Sequence, residues 1–155
     1  MTAVIRPAMV DDGVAIYELV NYYAQQGLML PKSQSAVYES IRDFLVAEQD
    51  GKVVGCGALQ ITWQELGEVR SLAISDGCRR RGIGRRIVER LLKEAGEIGL
   101  ARVFALTHQR DFFLSLGFHS IEKKALPQKI WIDCINCVKF PNCDAEAVII
   151  NLEEE

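Results

Sequence analysis

The stretch that most constrains this chain runs from residue 68 to 87, EVRSLAISDGCRRRGIGRRI. An apolar strand pattern enters a glycine turn with arginines on both sides, and a long amphipathic helix follows. Glycines let a backbone approach a ligand closely and adopt positive φ. The first turn of the following helix offers N–H groups without intrahelical partners and the positive end of the helix dipole. Together these form an anion site of the size of a pyrophosphate. The competing reading is a glycine turn leading into a solvated arginine face. Two other phosphate loops are excluded. A Walker loop requires Lys and then Ser or Thr after its last glycine, where this chain has Arg85. A dinucleotide fingerprint requires Gly-x-Gly-x-x-Gly closing a first parallel strand.

The rest of the composition decides what kind of anion such a loop serves. The chain has 155 residues and a net charge of −3, so the arginines of RRRGIGRR are a local patch on an acidic protein. That balance argues against a general nucleic-acid binder, whose charge is basic throughout, leaves direct DNA binding through RRRGIGRR as the last rival, and suits a small ligand with several phosphates. No apolar run approaches the roughly 20 residues needed to cross a bilayer, and MTAVIRPAMVDDG meets proline and acid before a signal-peptide core forms. The five cysteines are an odd number and fit a reducing compartment. The sequence therefore predicts one cytoplasmic domain spanning residues 1–155, without a membrane or nucleic-acid partner; a homodimer is compatible with it.

Local patterns predict a strand at Val4–Arg6 stopped by Pro7, then a helix opened by Asp11 and Asp12. Its apolar stripe is Ile16, Leu19, Val20, Tyr23 and Ala24, with Gly27 as its stop. A short helix over Ala36–Ile41 follows. A hairpin pairs Phe44–Glu48 with Val53–Ile61 around an Asp-Gly turn, and Glu68–Ile74 is a further strand. The long helix from Gly84 puts Ile87, Leu91 and Ala95 on one side, in line with Ile83, and ends at Gly96 or Gly99. Next come a strand at Ala101–Thr107 and a helix over Gln109–Leu116 closed by Gly117. Strands at Lys129–Asp133 and Ala147–Leu152 flank a cysteine-bearing segment, residues 129–146. The fold class is α/β: a central mixed sheet with helices on both faces.

Strand, loop and helix together resemble the acetyl-CoA motif of the GNAT N-acetyltransferase superfamily, a strand followed by Arg-x-x-Gly-x-Gly. The resemblance continues through ALTHQRDFFLSLGF and covers most of residues 3 to 121. It implies the GNAT acyltransferase fold, with acetyl-CoA as co-substrate and no metal requirement. The backbone of Leu72, Ala73 and Ile74 is then expected to pair with the pantetheine arm, as an added strand pairs with a sheet edge. Backbone N–H groups across Arg79, Arg80, Arg81, Gly82, Ile83, Gly84 and Arg85 are expected to hold the pyrophosphate. Side chains of Arg79, Arg80 or Arg85 are expected to reach the ribose 3′-phosphate.

GLMLPKS, FLVAEQDGKVVGCGAL, GEVRSLAI and LPQKIWIDCINCVKFPNCDAEAV are similar to the acetyltransferase domain of N-acetylglutamate synthases, in its stand-alone form. The resemblance implies transfer of an acetyl group to the α-amine of L-glutamate, the first step of arginine biosynthesis. Two carboxylates call for two cations, and Arg70 and Lys32 are the candidates. The alternative is that Arg70 pairs with Glu68, two residues away on one strand face, and that Lys32 is simply exposed. Glu68 is the candidate base for the α-ammonium, directly or through a water, and a backbone N–H near Leu72 or Ala73 the candidate oxyanion donor. Many relatives place a tyrosine in Tyr-x-x-x-Gly-Phe to protonate the leaving thiolate; this chain has Phe113 there. Tyr22 and Tyr23 stand either as replacements or as packed helix residues.

Other readings remain open at this level. The acceptor is glutamate, another small amine or a protein N-terminus; without the tyrosine, a non-catalytic acetyl-CoA sensor is a further class. Cys134, Cys137 and Cys143 form C-x2-C-x5-C, which fits half a zinc site with His119 as a fourth ligand, a reversible disulfide or free thiols. Cys56 is a core candidate, Cys78 lies at the loop, and His108 ends the strand that the resemblance implies faces the cofactor, as a catalytic group or a polar loop contact.

Overall fold

A computed structural model describes residues 2–79, 81–126 and 145–152. Among these residues seven strands form one mixed sheet: β1 (Val4–Pro7), β2 (Phe44–Gln49), β3 (Lys52–Trp63), β4 (Leu66–Ile74), β5 (Arg102–Thr107), β6 (His119–Ile121) and β7 (Glu146–Asn151). Their spatial order is β1-β2-β3-β4-β5-β7-β6. The first four pair antiparallel in succession, β5 lies parallel to β4, and β7 returns antiparallel between β5 and β6. Among the described residues four α-helices accompany the sheet: α1 (Gly13–Ala24), α2 (Gln34–Glu39), α3 (Ile83–Glu97) and α4 (Arg110–Leu114). The expected α/β sheet with helices on both faces is what the chain builds.

Local chemistry sets several of these elements. Asp50 and Gly51 both take positive φ, 55° and 77°, the geometry of a hairpin turn whose twist matches its strands. The Ser33 hydroxyl accepts the Ala36 N–H at 3.1 Å and opens α2 as an N-cap. Asp12 does more than decorate a helix start: it accepts the Met9 N–H at 2.7 Å and two bonds from Arg6 at 2.8 and 3.0 Å. Arg6 also reaches Glu48 at 2.8 Å, tying β1, the helix entry and β2 together.

Each face of the sheet has its own core. α3 and α4 bury Ile87, Val88, Leu91, Ala95 and Phe113 against Leu45, Ala47, Leu59, Val69, Val103 and Val148. Gly57 lets α3 lie close, since a Cβ there would come within 2.8 Å of Ile87 Cγ2. On the opposite face α1 and α2 bury Ile16, Val20, Tyr23 and Val37 against Phe44, Val46, Cys56, Ala58 and Ala73. Leu66, Phe104, Leu126, Ala147 and Ile149 form a third cluster. Each fully buried aliphatic side chain contributes about 1.5–3 kcal/mol.

Some sequence-based boundaries shift. α2 ends at Glu39, and Ile41 belongs to a separate 3-10 turn. α4 is one short turn from Arg110 to Leu114. The strand β6 at His119–Ile121 was not foreseen: its three residues are too few for a periodic signal, and only pairing with β7 makes them a strand. The expected strand at Lys129–Asp133, Arg80, and Cys134, Cys137 and Cys143 lie outside the described residues.

Candidate active site

The parallel strands β4 and β5 pair only at Leu66–Arg102, Gly67–Val103 and Glu68–Phe104. Beyond that point β4 continues to Ile74 and β5 to Thr107, with no pairing between them. The sheet therefore opens at its middle, and the edge of β4 from Val69 to Ile74 faces a gap rather than a strand. An unpaired edge presents main-chain donors and acceptors, the equipment for receiving an extended ligand.

The same segment of β4 carries a bulge. Ser71 has a φ of 55°, in the left-handed region, and the register with β3 slips between Cys56–Ala73 and Ala58–Arg70. One extra residue reverses the alternation of a strand. Glu68 and Arg70 thus face the α1 side, while Leu72 and Ile74 turn to pack with the α3 core. Strict alternation would have forced Leu72 and Ile74 onto the face of Arg70. The Cys56 thiol supports the bulge by donating to the Ser71 carbonyl at 3.4 Å. Full burial pushes that thiol up to about 12, so it is a neutral donor at physiological pH.

At the end of β4, a 3-10 turn (Asp76–Cys78) leads to the glycine loop. Gly82 caps α3 with φ 78°, a conformation that glycine adopts without steric cost. The first N–H groups of α3 point out of the helix end toward this loop. Gly84 is different: it is helical, and a Cβ there would meet Phe112 Cζ at 3.5 Å, an ordinary contact. The loop is braced from α1. Tyr22 donates to Asp76 Oδ2, and the Tyr23 hydroxyl donates to the Ile74 carbonyl while lying 3.1 Å from Asp76 Oδ1. Tyr22 holds the Asp76 carboxyl below its usual range, and Asp76 in return raises the Tyr22 phenol. These tyrosines brace the loop entrance at the end of β4.

The arginine run divides among several tasks. Arg79 lies 3.8 Å from Asp76 and 5.9 Å from the Tyr23 ring centroid. Arg81 is exposed at the loop. Arg85 pairs with Glu89 along the helix at 3.2 Å, and Arg86 donates to the Ala3 carbonyl at 2.8 Å, capping the edge strand β1. An open groove of about 620 Å³ on that β1 edge, lined in part by Arg86 and Arg90, is three strands from the gap.

A second cluster of charge lies where β4 and β5 part. Arg70 sits 3.6 Å from Glu68 and bonds Gln60 on β3. The strand-face pair weighed from the sequence does form, but with Arg70 41% exposed it contributes no more than about 1 kcal/mol. Lys32 joins the cluster from the loop after α1. Burial holds its ammonium below the usual range and the charge of Arg70 adds to this, while Asp43 and Glu68 oppose it. Partial desolvation also raises the Asp43 carboxyl, against the pull of Lys32. Asp43 was missed in the sequence because nothing local marks it as facing a lysine eleven positions earlier. His108, at the end of β5, lies with Nδ1 3.2 Å from the Leu28 carbonyl in the same loop. Phe113 is buried and packs edge-on to Phe112 and Phe118 at 5.1 Å, a wholly apolar position.

A family model for the acetyltransferase (GNAT) family matches residues 15–118. An uncharacterised N-acetyltransferase of Chlorobaculum tepidum is 42% identical over 148 residues, 96% of each chain. An amino-acid acetyltransferase of Mycobacterium tuberculosis is 44% identical over 122 residues, 77% of this chain and 70% of that one. Among solved structures, Rv2747 of Mycobacterium tuberculosis in complex with CoA superposes with a TM-score of 0.86 at 34% identity, over 97% of this chain and 99% of that one. N-acetylglutamate synthase of Neisseria gonorrhoeae, complexed with coenzyme A and N-acetyl-glutamate, gives 0.90 at 26% identity, over 99% of this chain but 36% of that one. A sheet parted between β4 and β5, a bulged β4, a glycine loop capping α3 and these similarities have one account: the chain belongs to the GNAT family of acetyltransferases.

Proposed function

We propose that the chain moves the acetyl group of acetyl-CoA to the α-amine of L-glutamate, the first step of arginine biosynthesis. The observation that carries this reading is the meeting of Lys32 and Arg70 beside the gap. Burial and the charge of Arg70 lower the Lys32 ammonium, with Asp43 and Glu68 opposing them, so the cluster holds two cations that a dicarboxylate can engage and a carboxylate, Glu68, beside Arg70. A dicarboxylate supplies one carboxylate to each, and Arg70 suits bidentate contact. The relatives named amino-acid acetyltransferase and N-acetylglutamate synthase support the same acceptor.

In this reading the pantetheine arm lies along the free edge of β4 at Leu72, Ala73 and Ile74. The pyrophosphate rests on the loop from Arg79 through Arg80, Arg81, Gly82, Ile83 and Gly84 to Arg85, against the first turn of α3. Glu68 takes the proton of the α-ammonium, directly or through a water, freeing the lone pair that attacks the thioester carbonyl. A backbone N–H at Leu72 or Ala73, aimed by the bulge, meets the developing oxyanion. The thiolate leaves without a proton from Phe113; thiols ionise near pH 8.5, so the unprotonated group is a tolerable leaving group.

The test is glutamate-dependent release of CoA. Removing one charged partner costs about 1.5–3 kcal/mol, so Arg70→Ala and Lys32→Ala each lower kcat/KM for glutamate by about tenfold to a hundredfold. Absence of turnover with glutamate between about pH 7 and 9, with turnover of another amine, refutes the acceptor.

A further inference from the structure

We infer that Asn21 on α1 is a positioning residue that sets acceptor specificity by fixing the backbone of Lys32, an inference that rests on the glutamate reading above. One side chain holds both main-chain groups of one residue. Asn21 Nδ2 donates to the Lys32 carbonyl at 2.8 Å, and Asn21 Oδ1 accepts the Lys32 N–H at 3.3 Å. Nδ2 also donates to the Tyr17 carbonyl at 2.9 Å, which locks the amide against its own helix. Lys32 thus receives from α1 what a residue in a sheet receives from a neighbouring strand.

The loop needs such a clamp. Residues 28–32 belong to no helix or strand, and irregular backbone is anchored only by the contacts it finds. At its start the Leu28 carbonyl meets His108 Nδ1 at the tip of β5; at its end Asn21 takes Lys32. Between these ties the loop runs from β5 to the charges of β4. Left free, the Lys32 ammonium would leave a half-buried place beside Arg70 for water. Held there, it fixes the distance between two carboxylate-binding cations, and so selects a two-carboxylate acceptor over one carrying an amide in place of the second.

Asparagine meets the requirement because its tip is both donor and acceptor. Leucine has a similar volume and neither function; aspartate keeps the acceptor and loses the donor. Steady-state kinetics on Asn21→Leu, Asn21→Asp, Lys32→Ala and the Asn21→Leu/Lys32→Ala double variant test the idea, with KM for glutamate, glutamine and acetyl-CoA read separately. Asn21→Leu is expected to raise the glutamate KM about tenfold to a hundredfold, to narrow discrimination against glutamine, and to leave the acetyl-CoA KM within about twofold. Asn21→Asp is expected to fall between Asn21→Leu and wild type. In the Lys32→Ala background, Asn21→Leu is expected to add less than about twofold. A normal glutamate KM in Asn21→Leu, with a raised one in Lys32→Ala, overturns the role of Asn21 and leaves the glutamate reading standing. Parallel rises in both KM values, or full additivity with Lys32→Ala, identify loosening of α1 and also overturn it. An unchanged glutamate KM in Lys32→Ala defeats the carboxylate role of Lys32 and the inference with it.

Discussion

Two glycines of one loop are expected to respond in opposite directions to the same methyl group. Gly82 has φ 78° and nothing within 4 Å of a built Cβ, so Gly82→Ala is a purely backbone perturbation. A left-handed non-glycine residue costs about 1–2 kcal/mol. For a chain of this length each kcal/mol moves Tm by about 2–4 °C, so Tm falls by about 2–8 °C. Gly84 is helical, and its Cβ would make ordinary contacts with Phe112 Cζ at 3.5 Å and Ile74 Cγ1 at 3.7 Å, on the protein side. Gly84→Ala therefore gains up to about 1 kcal/mol of helix propensity. CoA separates the two further. At a hundred times its Kd, a ligand adds about 2.7 kcal/mol of stability. If Gly82→Ala relaxes by turning the loop N–H groups away from phosphate, each lost charge-assisted bond removes about 1.5–3 kcal/mol of that. Thermal unfolding with and without CoA reads both effects: Gly82→Ala loses stability and most of the CoA-induced rise, while Gly84→Ala keeps the rise. A full CoA-induced rise in a Gly82→Ala variant whose own Tm has not fallen would show a loop reshaped without loss of CoA, and so not the phosphate cradle. Its loss in Gly84→Ala would show that the Cβ faces the ligand.

Glu68→Gln is expected to lower kcat by about a hundredfold or more, with the glutamate KM little changed; an unaltered kcat would leave Glu68 only its ion pair with Arg70. The Asp12 carboxyl is held below its usual range, first by Arg6 and also by the Met9 N–H, against the opposing effect of burial. Its folded pKa is thus depressed, so its stabilisation is complete above the unfolded value of about 3.9 and is lost as pH falls through the folded value. Urea midpoints for wild type and Asp12→Asn should differ at about pH 5 and converge under strongly acidic conditions; a constant gap contradicts the assignment. With its thiol pushed up to about 12 and fully buried, Cys56 should escape alkylation in the native protein at about pH 8 and label only after unfolding, as peptide mapping by mass spectrometry reads.

What the chain declares locally, its sequence determines. The stripe of Ile83, Ile87, Leu91 and Ala95 makes α3 amphipathic wherever it sits, and Asp50-Gly51 turns its hairpin by backbone preference alone. Arg79 to Gly84 marks the loop because glycine spacing next to a helix start is a short-range property. Other features depend on partners far along the chain. No residue type announces the bulge at Ser71; β3 decides it through the slipped register, and the opposite destinations of Arg70 and Leu72 follow. The gap between β4 and β5 arises because their pairing stops after Glu68–Phe104. Lys32 meets Arg70, Asp43 and Glu68 only because α1 and its loop fold back over the sheet, with Asn21 holding the end. Periodicity and turn chemistry act over a few residues and can be read in order along a chain. Register, strand divergence and the meeting of distant charges are set by packing, and only the tertiary structure decides them.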